Sequence, residues 1–156
     1  GPLPAPPADL SRLDMAGLAQ DVVALYIQNL RLIRTLAREY GFRPVFFWQP
    51  VITTKRNKTL DEQRWERDYT HDPAARVRLY TAIVDKRRDC RDLAEAADAV
   101  DLSALFDAWT DPVYIDLYHL SEAGNAAVAE AMLPAIAAAA DALEQDRRRR
   151  QMPRAG

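Results

Sequence analysis

A chain of 156 residues, 49% hydrophobic and 28% charged, has the size and balance of one water-soluble domain with room for a core. Formal net charge is -2, yet Arg147, Arg148, Arg149, Arg150 and Arg154 crowd the end, and the body without them stands near -7. That body is a poor nucleic-acid surface; no apolar run is long enough to span a membrane, so no membrane span is expected; and the single Cys90 excludes an internal disulfide and a cysteine-based zinc site.

The chain begins Gly1-Pro2 rather than with Met, so its start says nothing of localisation. Four prolines (Pro2, Pro4, Pro6, Pro7) predict an irregular lead-in over residues 1–13. A long helix is then expected from about Asp14 to Tyr40. Leu18, Val22, Leu25, Leu32, Ile33, Leu36 and Tyr40 recur at threes and fours as one apolar stripe, with Asn29 on it, and Gly41 closes the helix. Pro44 to Trp48 is β-prone without alternation, as in a strand buried on both faces.

Residues 51–72 show no clear periodicity. Lys55, Arg56, Lys58, Asp61 and Glu62 interleave there with Trp65 and Tyr69, as in a functional loop beyond a strand end, a loop holding one short helix, or an ordinary surface excursion. Asp72-Pro73 starts a helix running to about residues 94–97 and burying Val77, Tyr80 and Val84; His71 precedes it as a capping or surface residue. Cys90 lies among Lys86, Arg87, Arg88 and Arg91 and reads as an incidental helix-face thiol. Residues 99–102 form a second short strand. Ser103 to Pro112, with Phe106 and Trp109, form a loop.

Val113 to Ile115 lead into Asp116-Leu117-Tyr118-His119, and Ser121 caps a final helix that carries Pro134 inside it and enters the arginines. Residues 14–143 are thus the domain, and 144–156 a basic, disordered tail. Asp116 and His119 stand three apart on a tight turn. There a carboxylate can accept the Nδ1–H of an imidazole and leave Nε2 outward as a base. The spacing alone fits a structural turn equally well. A metal site is disfavoured, since His71 is the only other histidine.

Helices alternating with strands imply βαβ crossovers and a parallel sheet. Two strands alone make a marginal sheet, so the expectation is part of a larger α/β domain whose first strands lie upstream or on a second chain.

Ile115-Asp116-Leu117-Tyr118-His119-Leu120-Ser121, followed by Gly124-Asn125 and Val128-Ala129, closely resembles the last sequence block of the SGNH/GDSL hydrolase superfamily. Tyr40-Gly41 through Phe47-Trp48-Gln49-Pro50 with Lys55 and Glu62, and Asp101-Leu102-Ser103 with Phe106, look like the segments that precede that block in extracellular-type members. The resemblance spans about residues 15–140. It implies a three-layer αβα flavodoxin-like fold, of which this chain is the C-terminal portion. It also implies His119 as general base and Asp116 as its orienting acid, no cofactor, and an ester-bearing small molecule, carbohydrate or lipid as substrate. The family's Gly-Asp-Ser nucleophile block and its oxyanion-hole blocks are absent. Ser11, Ser103 and Ser121 do not stand in matching contexts. The chain alone is therefore expected to be inactive. Two other readings stand beside this one. One is a non-catalytic half-domain or interaction module that pairs with another chain. The other is a small helical domain with a basic tail, which leaves the Asp–His turn unexplained.

Overall fold

A computed structural model describes residues 12–68, 72–94 and 96–151. His71 and the lead-in over residues 1–11 lie outside them. The first helix, α1, runs Met15–Tyr40. The Asp14 carboxylate caps it by accepting the Gly17 N–H at 2.9 Å. A side chain at Gly17 would meet that carboxylate, its Cβ falling 2.4 Å from Oδ2. Gly41 ends the helix at φ 71°, and its N–H reaches the Ala37 carbonyl.

The buried face of α1 differs from the predicted stripe. Ala19, Val23, Leu30 and Ala37 face inward, whereas Leu18, Val22, Leu25, Leu32, Leu36 and Tyr40 are exposed. Periodicity identifies an apolar face; it does not tell which of two apolar faces finds a partner within the chain. The inward face packs on α3 (Pro73–Arg88) and the short α4 (Arg91–Ala94). Ala19, Val23, Leu30, Ile83 and Leu93 form that core, with Tyr26, Phe46, Trp48 and the half-buried Cys90 against it. Asp72 caps α3, its carboxylate accepting the Ala75 N–H at 2.8 Å. Val77, expected inside, is exposed, and Ile83 is buried instead.

Two strands, β1 (Phe46–Trp48) and β2 (Ala99–Asp101), pair in parallel with Phe46 opposite Ala99 and Trp48 opposite Asp101. Arg34 ties α1 to the sheet by a two-pronged hydrogen bond to the Asp98 carboxylate, and its guanidinium lies over the Phe46 ring. The expected three-layer αβα flavodoxin-like fold is not what forms. The chain is mostly helical, and its sheet is one pair of three-residue strands. Gln49-Pro50 stops β1, and the strand residues are half-buried, whereas the sequence reading required burial on both faces. Too little strand is paired to make a layer.

The stretch after β1 folds into a 3₁₀ turn (Ile52–Thr54) and a helix, α2 (Leu60–Asp68). The last helix, α5 (Glu122–Gln151), continues through the arginines. Its stretch Glu122–Arg150 corrects the expectation that nothing here spans a membrane. At 29 residues it reaches about 44 Å at 1.5 Å per residue, against a hydrocarbon core of about 30 Å. Its composition is apolar enough to cross, and none of that apolar window is buried. No continuous apolar run marks it in the sequence, because Glu130, Pro134 and Asp141 interrupt a segment that alanine otherwise keeps apolar. The core helix of a water-soluble protein meets the same two criteria.

Candidate functional site

The Asp–His turn stands on its own small core. Ile52, Phe106, Val113, Tyr114 and Leu117 are buried together, with Trp109, Leu120 and Val128 packed around them. Phe106 meets Trp109 and Tyr114 edge to face, with ring centroids at 5.6 and 5.9 Å. Burial pushes the Tyr114 hydroxyl above its ordinary pKa, and the nearby Glu62 charge adds to that; the buried phenol has no hydrogen-bond partner among the described residues.

Above this core the chain doubles back. Tyr114 and Leu120 form an antiparallel bridge, the Ile115 N–H reaches the His119 carbonyl at 2.9 Å, and the Ser121 N–H reaches the Val113 carbonyl at 2.7 Å. The following helix start comes in close. A Cβ on Gly124 would fall 2.8 Å from the Val113 carbonyl oxygen, so the glycine permits the approach. Ser121 caps α5, its hydroxyl accepting the Gly124 N–H at 3.2 Å.

Inside the loop, Asp116 makes an Asx turn. Its Oδ1 accepts the N–H groups of Tyr118 and His119, both at 2.8 Å, while Oδ2 lies 2.6 Å from His119 Nδ1. The His119 N–H, then the Tyr118 N–H, then the imidazole hold the Asp116 carboxyl down at about 2. Asp116 is therefore ionised wherever proteins normally work, and its charge selects the Nδ1–H tautomer of His119. The His119 side chain is 75% exposed. No group among the described residues engages its Nε2, which is left outward. Tyr118, between acid and base in sequence, is held by Arg76, whose guanidinium lies 4.9 Å from its ring centre. The structure thus brings together the two site residues that the sequence singles out.

Among the described residues, no hydroxyl is hydrogen-bonded to the His119 imidazole. Ser121 is occupied as a cap, Ser103 follows β2 with its N–H on the Asp101 carboxylate, and Ser11 lies outside the described residues. Among the described residues no three His, Cys, Asp or Glu side chains gather in a metal-ligating group. Such an imidazole can take a proton from a hydroxyl at Nε2 and return it to a leaving oxygen.

The charged stretch 51–68 contributes what sequence reading left unresolved. Thr59 and Glu62 form a capping box at the start of α2: the Glu62 N–H donates to Thr59 Oγ1 at 3.3 Å, and Glu62 Oε2 accepts the Thr59 N–H at 2.9 Å. The Thr-x-x-Glu spacing was the available signal for this helix start. Glu62 also pairs with Lys55 at 2.7 Å, and both side chains are almost fully buried. Burial alone would raise the Glu62 carboxyl, but Lys55 and the backbone N–H groups of Thr59 and Val113 bring it below its ordinary value. No protein-family model, curated protein or solved structure matches this chain.

Proposed function

We propose that this chain supplies the acid–base pair of a serine ester hydrolase or O-acyltransferase of the SGNH/GDSL kind, its serine standing outside these 156 residues. The observation that carries the reading is the 2.6 Å contact between His119 Nδ1 and Asp116 Oδ2 on a turn that leaves Nε2 outward. His119 Nε2 takes the serine proton as Oγ attacks the ester carbonyl, then delivers it to the departing alkoxide. Asp116 holds the ring and stabilises the imidazolium between those steps. The acyl-serine is resolved by water or a second hydroxyl, with His119 acting in the same two roles. No cofactor takes part, and the substrate is an ester-bearing small molecule, carbohydrate or lipid.

The test is hydrolysis of a simple aryl acetate. These 156 residues alone should be inactive. The protein expressed together with the coding sequence directly upstream should be active, and His119→Ala there should lower the rate by about 10²–10⁴-fold. Full activity in that variant ends the reading.

A second reading, a non-catalytic module that pairs with another chain, is favoured by the exposed face of α1, where Leu25 and Leu32 are each 59% exposed. Size-exclusion and light-scattering measurements test it: a monomer at all concentrations removes pairing with a second copy, and no activity gained from upstream sequence removes the acyl-transfer reading.

A further inference from the structure

The buried Lys55–Glu62 pair reaches from the charged loop into the base of the Asp–His turn. Lys55 Nζ donates to Glu62 Oε2 and, at 2.8 Å, to the Asp111 carbonyl. Glu62 Oε1 accepts the N–H groups of Val113 at 3.0 Å and Tyr114 at 3.3 Å. The Lys55 and Glu62 side chains are 1% and 0% exposed. A buried ion pair is a poor device for stability alone, since an apolar pair of similar volume often does as well. Here the carboxylate does something an apolar side chain cannot: it holds two consecutive backbone N–H groups whose own sequence carries no capping residue.

Those two residues begin the catalytic turn. The Val113 N–H is held by Glu62 and its carbonyl by the Ser121 N–H, so that residue is clamped on both sides. Tyr114 is held by Glu62 on one side and bridges to Leu120, next to His119, on the other. We propose that Glu62, kept charged by Lys55, is a positioning residue for His119: it fixes the frame across which Asp116 selects the imidazole tautomer. The proposal rests on the reading of Asp116 and His119 as an acid–base pair.

The test reads the tautomer directly, through long-range proton–nitrogen correlations from the carbon-bound ring protons of His119. His71→Gln in every sample leaves His119 as the sole imidazole, because the chain has two histidines. The unaltered clamp should show the Nδ1–H form. Lys55→Met with Glu62→Met removes both charges and the acceptor of the Val113 and Tyr114 N–H groups at similar volume, and leaves no unpaired buried charge. In the folded variant the ratio of Nδ1–H to Nε2–H should fall several-fold. Where that variant does not fold, Lys55→Met with Glu62→Leu is the second probe, with the same expectation. Phe106→Leu is the control, loosening the core against Tyr114 while leaving Lys55, Glu62 and the backbone N–H groups they hold in place, and should leave the ratio unchanged. A native tautomer ratio in a folded clamp variant overturns the proposal, as does an equal shift in Phe106→Leu. If the clamp variants shift the tautomer while His119→Ala leaves ester hydrolysis intact, the clamp stands and the acyl-transfer reading falls.

Discussion

The Asp–His turn and helix α1 are finished to different degrees. Around the turn, Ile52, Phe106, Val113, Tyr114 and Glu62 are essentially closed to solvent, and both Glu62 oxygens accept hydrogen bonds. Along α1, one face is buried in a core while the other shows Leu18, Val22, Leu25, Leu32 and Leu36 to solvent. A chain that closes one region so fully has the means to close a surface. The contrast teaches that the core beneath the turn is closed by the described residues, whereas the outer face of α1 is left exposed by them.

The comparison can be broken by substitution. The largest effect is expected at Glu62→Ala, which leaves the buried Lys55 charge unpaired and should destabilise by ~3–5 kcal/mol in denaturant titrations. Leu30→Ala, at a position 2% exposed, should cost ~2–5 kcal/mol. Gly124→Ala drives a methyl group onto the Val113 carbonyl, and overpacking of that kind costs ~1–3 kcal/mol.

Acid acts on the turn more gently. Glu62 and Asp116 both have folded pKa values below their ordinary ones, so each contributes stability above its ordinary value and loses it as pH falls toward its folded value. For Asp116 the window lies between its ordinary 3.8 and about 2. Asp116→Asn should flatten the stability profile there, and an unchanged slope would remove the carboxylate from the account of the turn. The smallest effect belongs to Leu32→Ala, within ~0.5 kcal/mol, as for a solvent-facing site. If it costs as much as Leu30→Ala, the outer face of α1 is covered in solution and the contrast between the two regions disappears.

What could be read from the sequence was local. Asp14 and Gly41 at the ends of α1, Asp72 before α3, Ser121 before α5 and the Asp116–His119 spacing all act within four residues, and the structure shows each interaction. What could not be read depended on distant partners. The Glu62 carboxylate reaches Val113, 51 residues further on, and nothing in the local spacing marks that contact. The choice between the two apolar faces of α1 is made by Ile83 and Leu93, not by the helix. The extent of the sheet failed for the same reason: β-prone Phe46-Phe47-Trp48 announces a strand, but the number of neighbours is a property of the rest of the fold.

The bridge between Tyr114 and Leu120 sets a clock for whatever His119 does. With the loop pinned at both ends and Asp116 bonded across it, there is no hinge by which the base could swing toward a reactant. Exposed side chains of this kind move on the picosecond to nanosecond scale, rather than the microseconds of a moving loop. On the proposed acyl-transfer reading, a reacting hydroxyl is brought to the imidazole. On that reading, any slow conformational step belongs to the element that carries the hydroxyl.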